Sequence, residues 1–378
     1  MSHPLPRHLL RHADGRRLYV YGELRGRLPA GEAPATPPLL LHQRWDALTG
    51  TWVAISPARN GRPNLAALPT ADHGECPLCP GGPEVPFSYE AAVFENGFPT
   101  LVEEPPPPES SDPRIEWSFG RCEVVLYTEA HSGGLGTLDP AEVCRVVAVW
   151  CDRSQALWAD PEHAFVLVFE NRGEEVGTTL SHPHGQIYAF GHLPPLITSR
   201  MDVLRWHRRA KRACLGCAVA ADEAASDRVV VKNDAFTVAV PFAARWPYEV
   251  HVRARRHGLR RLGDLAPAEQ VHLAAALQQV VQRYDGLFGH ELPYMMTVLE
   301  APEDVDDWHL AVEFQPPHRG PGQLKVRASV ETATGMFIND TLPEDSAAEL
   351  AAVKVEEVSW ADVSIPEVTD STEEQPTG

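Results

Sequence analysis

Two histidines separated by one residue stand in the segment Ser181-His-Pro-His-Gly-Gln186. Residues two apart on an extended strand project from the same face, so both imidazoles would point the same way. Gly185 leaves room for a phosphate near the backbone, and Gln186 is a neutral donor for a non-bridging oxygen. A neutral imidazole attacks phosphorus readily and forms a phosphoramidate that passes its group to a second acceptor. We therefore predict that His182 faces a metal and that His184, on the metal's flank, is a nucleophile; the alternative is a plain surface turn.

A pair of cysteines on one tight turn, Cys76-Pro-Leu-Cys79, supplies two thiolates, which is half of a tetrahedral zinc site. Two imidazoles would complete the shell, and His131 and His182 in the same half of the chain are the candidates. The chain has 17 histidines, and most histidines in proteins are ordinary surface residues or hydrogen-bonded core residues rather than metal ligands. The combination of a C-x-x-C pair with two well-placed histidines nevertheless predicts a first zinc site.

The same order of ligands recurs in the second half of the chain, with Cys214, Cys217, His257 and His309. His251 is the competing histidine that is most easily confused with His257. Two thiolates and two imidazoles close a tetrahedral shell with no open position, which is typical of structural zinc. We therefore predict two structural zinc ions per chain.

Composition and charge argue against several classes of function. The 378-residue chain has seven cysteines, an odd number, and a formal net charge of −19. A surface of that sign repels polyanions, which argues against nucleic-acid binding, and an anionic substrate would need a local basic pocket. No apolar run is long enough to span a bilayer, and residues 1–17 lack the apolar core of a signal peptide. We expect a cytoplasmic protein, in which C-x-x-C pairs bind metal rather than form disulfides.

The predicted secondary structure has the same order in both halves. In the first half, β-rich runs at Cys122–Tyr127 and Ala164–Phe169 flank a helical stretch at Pro140–Leu157. In the second half, strands are predicted at residues 228–232, 237–240, 249–253, 295–299 and 310–314, and a helix at 267–284. Because each half also begins with a C-x-x-C pair, we infer an internal duplication with copies about 130 residues apart.

This duplication defines the predicted domains. We expect an α+β fold whose first repeat, residues 1–195, carries the histidine segment and whose second repeat is residues 196–354. Residues 355–378 are acidic, polar and poor in core-forming residues, so we expect a disordered tail there.

The histidine segment also resembles a known family. Phe169-Glu-Asn-Arg-Gly173, followed by Gly177-Thr-Thr-Leu-Ser-His-Pro-His-Gly-Gln-Ile-Tyr188, is similar to the active-site signature of the galactose-1-phosphate uridylyltransferases. The resemblance extends from about Arg44 to Leu350, through Leu48-Thr-Gly-Thr-Trp-Val-Ala-Ile-Ser-Pro-Ala-Arg59 and Gly335-Met-Phe-Ile-Asn339. That family is a branch of the histidine triad superfamily, and the resemblance implies two fused repeats, each an antiparallel sheet with helices.

The resemblance assigns roles to individual positions. His184 matches the nucleophile, and Gln186 matches the residue that holds the phosphoryl group. The resemblance implies that the other matched positions bind substrate. Asn171 would lie near the nucleophile, Thr179 would contact a phosphate, and Arg59 and Arg62 would contact the nucleotide phosphates. Asn96 would contact the nucleotide, and Lys325 and Glu331 fall in the stretch that meets the sugar.

The sequence departs from the family pattern in the second repeat. Some members hold an iron-type site there, but the matching positions are Arg200, Leu299, Ala311 and Glu313, so we expect that site to be absent. Other members have a second Cys-Cys-His-His zinc site there, and Cys214, Cys217, His257 and His309 fit that variant. Glu313 stands where we expect a second nucleophile, so only the first repeat should be catalytic.

The function that the resemblance implies is exchange of UMP between UDP-glucose and galactose-1-phosphate, through a covalent uridylyl-histidine at His184. A related nucleotide-sugar phosphorylase or adenylyltransferase is the alternative within the family. A zinc-stabilised binding module without catalysis is the alternative from another class, although such a scaffold does not need a second histidine beside the ligand. The resemblance also implies a homodimer, in which Arg59 and Arg62 reach the site of the neighbouring subunit.

Overall fold

The computed structural model describes residues 3–29, 40–62, 76–107, 110–356 and 358–371. The strands of the first half are β1 (Pro4–Arg11), β2 (Arg17–Tyr21), β3 (His42–Asp46), β4 (Thr51–Ile55), β5 (Ala91–Glu95), β6 (Ile115–Trp117), β7 (Gly120–Leu126), β8 (Phe165–Arg172) and β9 (His184–Phe190). The remaining strands are β10 (Val229–Lys232), β11 (Phe236–Ala239), β12 (Val250–Ala254), β13 (Tyr294–Leu299), β14 (Ala311–Gln315), β15 (His318–Gly320), β16 (Gln323–Leu324) and β17 (Glu367–Asp370).

The helices are α1 (Pro140–Trp158), α2 (Pro195–Lys211), α3 (Leu215–Ala225), α4 (Pro267–Leu287), α5 (Ser329–Thr334) and α6 (Pro343–Ala352). Short 3-10 helices occur at Pro57–Gly61, Glu174–Val176 and Leu262–Asp264. Among the helices of the described ranges, none combines the length and the apolar composition that crossing a bilayer requires.

One twelve-stranded sheet organises the molecule, in the order β10-β11-β12-β14-β13-β8-β9-β7-β5-β2-β1-β17. At its centre β8 pairs antiparallel with β13, from Leu167 opposite Leu299 to Arg172 opposite Tyr294. Moving outward, β9 and β7 follow β8 in the same way that β14 and β12 follow β13. The mixed α+β architecture is thus confirmed, and the strands and helices predicted from sequence patterns lie where we expected them.

The core joins the two halves because helices from both pack together. Helix α1 begins with a capping box, in which Asp139 accepts from the backbone N–H of Glu142 at 2.8 Å and Glu142 accepts from that of Asp139 at 3.0 Å. Its apolar residues at helical spacing, including Val147 and Trp150, are fully buried. They belong to one hydrophobic cluster with Leu277 of α4. The two repeats therefore share a sheet and a core, and the division at residue 195 stays a prediction.

The acidic tail, which we expected to be disordered, contains an ordered strand. Strand β17 adds to the edge of β1 in parallel, with Pro4 opposite Glu367, and Ile365 is only 6% exposed. Arg7 bonds both Asp152 and Asp370, which ties the strand to α1. The composition of the tail is polar on average, but a few of its residues are apolar, and these are enough to cover the edge of the sheet at β1. The expectation of disorder is therefore wrong for residues 358–371. Residues 372–378 lie outside the described ranges.

Removing the β17 segment should destabilise the protein. We expect a chain that ends at Val355 to lose the burial of Ile365, worth about 1.5–3 kcal/mol, and to melt on the order of 3 °C lower. Differential scanning calorimetry measures the change. A chain that ends at Ser371 is the matched control and should melt like the parent. Equal melting of all three chains would contradict a stabilising role for β17.

Candidate active site and metal clusters

His184 is the first residue of β9, which lies between β7 and β8 in the sheet. Residues of β9 alternate between the two faces, so that His184, Gln186 and Tyr188 are half-buried while the residues between them are fully buried. His182 lies just before the strand, where it is buried against the cysteines. His182 thus lies beside the cysteines and His184 begins the strand, while their predicted roles toward a metal and a substrate stay predictions.

The hydrogen bond of the His184 ring defines its tautomer. Nδ1 lies 2.7 Å from the backbone carbonyl oxygen of His182. Because a carbonyl only accepts, Nδ1 carries the proton and the lone pair resides on Nε2. Burial lowers the pKa of His184, and this outweighs the opposing effect of the backbone hydrogen bond. A neutral ring with its lone pair on Nε2 is the form that a nucleophilic histidine requires.

A cleft of 470 Å³ opens over this face of the sheet. Six of the predicted catalytic and substrate-binding residues line it together: His184, Gln186, Asn171, Thr179, Arg59 and Arg62. Sequence reasoning missed five further polar or aromatic lining residues: Ser56, Thr100, Phe169, Thr178 and Tyr188. The period of two in β9 was a signal that could have identified Tyr188, because it lies on the same face as His184 and Gln186.

The cleft is locally basic in a chain of net charge −19. Its described lining contains two arginines and no carboxylate. Arg59, on the 3-10 helix Pro57–Gly61, donates to the carbonyl of Phe98 at 3.1 Å and to the hydroxyls of Thr100 at 3.2 Å and Tyr188 at 3.4 Å. Burial and the charge of Arg59 lower the pKa of Arg62. This arrangement matches the basic pocket that an anionic substrate needs.

Arg59 and Arg62 line the cleft of their own chain together with His184. Their expected reach into the site of a neighbouring subunit stays a prediction, because the structure describes a single chain. Arg59 lies on the 3-10 helix that directly follows β4, and its guanidinium contacts Tyr188 of β9 in the same chain.

The loop between β8 and β9 closes one side of the cleft. Gly173 and Gly177 have φ values of 99° and 82°, a backbone region that favours glycine. Thr178 follows Gly177 in this loop, and its hydroxyl donates to the carbonyl of Asn171 at 2.6 Å. The loop thereby holds Thr179 at the cleft wall.

Three residues predicted to bind substrate lie outside the cleft lining. Asn96 caps a turn, since its Oδ1 accepts from the backbone N–H of Phe98 at 2.8 Å. Lys325 and Glu331 form a buried ion pair at 2.6 Å, and Lys325 also donates to the carbonyl of Ile338. Within one chain these residues make structural contacts, and their roles toward substrate stay predictions.

The first predicted metal site is assembled. Cys76, Cys79, His131 and His182 bring one ligand atom each within 4.8 Å of one another. Cys79 Sγ lies 3.2 Å from Nδ1 of His131 and 3.6 Å from Nδ1 of His182. The other ring nitrogen of His182 lies 2.9 Å from the carbonyl oxygen of Thr128, so it donates there and leaves Nδ1 as the ligand. These separations are close to the edges of a tetrahedron around a metal bonded to sulfur and imidazole nitrogen.

The second predicted site is assembled in the same way from Cys214, Cys217, His257 and His309. Cys217 Sγ lies 3.3 Å from Nδ1 of His257 and 3.4 Å from Nε2 of His309. Cys214 caps the start of α3 by accepting from the backbone N–H of Cys217 at 3.3 Å. Both clusters therefore could hold a metal ion with soft and borderline ligands.

The residue of the second repeat that corresponds in position to His184 is Ala311. Strand β14 begins at Ala311, two residues after His309, as β9 begins at His184, two residues after His182. Glu313 consequently corresponds to Gln186, which corrects our expectation that Glu313 occupies the nucleophile's position. A methyl group cannot attack phosphorus, so Ala311 is compatible with the expectation that only the first repeat is catalytic, which stays a prediction.

Glu313 belongs to a third group of possible ligands, with Glu249 and His251, that sequence reasoning did not identify. The group is buried, and two guanidinium groups contact it. Arg200 bonds Glu313 at 2.9 Å, and Arg253 donates to Nδ1 of His251 at 2.8 Å. Arg200 thus pairs with the Glu313 carboxylate, while Glu249 accepts from Nε2 of His251 at 2.8 Å.

Comparison with known proteins gives the chain's relatives. The galactose-1-phosphate uridyl transferase N-terminal domain matches residues 36–194, and the C-terminal domain of the same family matches residues 199–363. A galactose-1-phosphate uridylyltransferase of Thermotoga maritima is 40% identical over 324 residues, 84% of this chain and 100% of the relative. One from Haemophilus influenzae is 33% identical over 299 residues, 73% of this chain and 84% of the relative.

Solved structures agree with these matches. A uridylyltransferase structure aligns with a TM-score of 0.74 at 29% identity, covering 82% of this chain and 98% of that chain. An ADP-glucose phosphorylase from Arabidopsis thaliana with bound ADP-glucose aligns with a TM-score of 0.64 at 25% identity, covering 83% and 99%. The chain belongs to the galactose-1-phosphate uridylyltransferase family.

Proposed function

We propose that this protein transfers UMP from UDP-glucose to galactose-1-phosphate through a covalent uridylyl-His184. The observation that carries the proposal is the 2.7 Å contact from Nδ1 of His184 to the carbonyl of His182, which leaves Nε2 as the free ring nitrogen at the wall of a basic cleft. The names of the relatives in the family support the choice of substrates.

In the first half-reaction, Nε2 of His184 attacks the α-phosphorus of UDP-glucose. The bond from that phosphorus to the bridging oxygen breaks, and glucose-1-phosphate leaves with the electron pair. The imidazole ring becomes cationic, and the hydrogen bond from Nδ1 to the carbonyl of His182 stabilises that charge. In the second half-reaction, a phosphate oxygen of galactose-1-phosphate attacks the same phosphorus, so UDP-galactose forms and neutral His184 returns.

The other lining residues stabilise charge and position the phosphates. Gln186 donates to a non-bridging oxygen, while Arg59 and Arg62 neutralise the diphosphate. Thr179 and Asn171 orient the phosphoryl group. Phosphoryl transfer depends mostly on such positioning and electrostatic stabilisation. In this proposal Asn96, Lys325 and Glu331 keep their assigned contacts with nucleotide and sugar.

A phosphorylase acting on adenylyl sugars is the second candidate. The similarity to the ADP-glucose phosphorylase structure favours considering it, and both reactions can proceed through a nucleotidyl-histidine. A panel of labelled UDP- and ADP-sugars, with galactose-1-phosphate or inorganic phosphate as acceptor, distinguishes the two functions.

Replacing His184 with Gly should abolish both the transfer and the labelled adduct, since the nucleophile's role is chemical. The purified variant and parent are incubated with UDP-glucose labelled in the α-phosphate, and an acid-labile protein label is quantified. His290→Asn, at an exposed histidine outside the cleft, is the control and should retain both the transfer and the labelled adduct. An adduct that persists in His184→Gly would overturn the assignment.

We further propose that both Cys-Cys-His-His clusters bind zinc, which uses thiolate and imidazole ligands in closed tetrahedral sites. Zinc at the first cluster would hold His182, and with it the carbonyl that orients His184. It would stabilise the fold and would take no part in a reaction step.

The location of the protein is a separate proposal. None of the seven cysteines is paired in a disulfide, which supports a reducing, cytoplasmic location.

Metal analysis of protein purified without chelator should approach about two zinc per chain. Cys214→Ser should lose about one zinc and melt at a lower temperature, because metal binding is coupled to folding. Cys144→Ala, at a buried cysteine outside both clusters, is the control that should retain its zinc. One zinc per chain in the parent, or unchanged zinc in Cys214→Ser, would contradict the second site.

We also propose a homodimer. In the small sheet β4-β3-β6, Val53 and Trp117 lie opposite Arg44 and His42 on one face and are 49% and 54% accessible. Exposed apolar side chains that share a face can form an interaction surface. Sedimentation velocity should show a dimer, and Trp117→Glu should shift it toward monomer. A fully active parent that sediments only as a monomer would rule out the dimer.

A further inference from the structure

Tyr127 lies directly behind the strand segment that carries His184. A Cβ added at Gly185 would lie 2.3 Å from the Tyr127 hydroxyl oxygen and 3.1 Å from the carbonyl oxygen of Phe169. The backbone of Gly185 therefore rests against the phenol, and only glycine permits this approach. The backbone N–H of Tyr127 also donates to the carbonyl of Pro183 at 3.3 Å. Tyr127 thus contacts both residues that flank His184.

A buried carboxylate holds the phenol in place. The Tyr127 hydroxyl donates to Glu170 Oε2 at 2.9 Å, and the Tyr294 hydroxyl donates to Glu170 Oε1 at 2.7 Å. All three side chains are buried. Burial and the neighbouring Glu170 raise the pKa of each tyrosine well above its ordinary value, so both hydroxyls stay protonated donors. Glu170 accepts one hydrogen bond on each oxygen.

Tyr294 connects this arrangement to the second repeat. It is the first residue of β13, opposite Arg172 of β8. The Arg172 guanidinium lies 4.7 Å from the centre of the Tyr294 ring and pairs with Asp285 of α4. A continuous series of contacts therefore runs from α4 and β13 of the second repeat to the back of β9.

We propose that Tyr127 is a positioning residue, which sets the depth at which His184 stands in the cleft, and that Glu170 and Tyr294 fix Tyr127. This inference rests on the proposed nucleophilic role of His184. Displacement of a reacting group by 1 Å costs about 10²-fold in rate, so a rigid support behind the nucleophile has a direct effect on the chemical step. The second repeat, which has Ala311 in place of a nucleophile, contributes to catalysis by supplying Tyr294.

The first test is Tyr127→Phe, which keeps the ring and removes the hydroxyl. We expect kcat for UMP transfer and the rate of adduct formation to fall about tenfold, part of the ~10²-fold loss for a 1 Å displacement, with KM within about twofold. Glu170→Gln should give a similar loss, and the double variant should fall little further, because the two residues act as one unit. Tyr248→Phe is the matched control, since Tyr248 is a buried tyrosine that donates to Glu349 at 2.7 Å, outside the cleft. Its kcat should equal that of the parent.

The second test measures the contact itself. Gly185→Ala should lower kcat by about 10²-fold, because its Cβ meets the Tyr127 hydroxyl. Adding Tyr127→Phe removes that oxygen, so the double variant should be faster than Gly185→Ala alone. A double variant that is no faster, or a kcat for Tyr127→Phe equal to that of Tyr248→Phe, would overturn the proposal. Full transfer by His184→Gly would instead overturn the proposed function, so the two failures are distinguishable.

Discussion

The ring of His184 and the backbone carbonyl of His182 are joined by a 2.7 Å hydrogen bond, and the orientation of His184 in the cleft depends on it. His182 turns its Nδ1 toward two cysteines and its Nε2 toward the carbonyl of Thr128. The same residue thus anchors the first metal cluster through its side chain and orients His184 through its main chain. Disturbing the cluster would therefore disturb the tautomer and direction of His184, even though the cluster lines no part of the cleft.

The duplicated fold retains its architecture in both halves while its chemistry has diverged. Each half has a Cys-Cys-His-His cluster followed by an inner strand, but His184 and Gln186 in β9 correspond to Ala311 and Glu313 in β14. In the second half, Arg200 bonds the carboxylate that corresponds to the Gln186 amide. An internal cation there neutralises a protein carboxylate, whereas in the first half the arginines face an open cleft.

Charge is distributed unevenly over the protein. A net charge of −19 on the chain repels anions at long range, yet the described lining of the cleft has arginines and no carboxylate. Two acidic side chains near the cleft are bonded to other protein groups. Glu170 accepts from two tyrosines behind β9, and Asp285 pairs with Arg172. An anionic substrate would therefore meet a favourable potential only locally.

The sequence by itself determined the features that depend on neighbouring residues. Spacing identified His184, both C-x-x-C pairs and their histidines, and period-two or helical patterns located the central strands and α1 and α4. Those signals are local, because the geometry of a turn, a strand or a helix is set within a few residues.

Only the tertiary structure decided which distant segments meet. It brought Arg59 to Tyr188, 129 positions away, within one chain, joined both repeats through β8 and β13, and added β17 to β1. It also placed Tyr127 and Glu170 behind Gly185, a contact that no spacing rule indicates. The reason is physical: strand pairing and burial depend on how the whole core packs, and a short stretch of sequence does not contain that information.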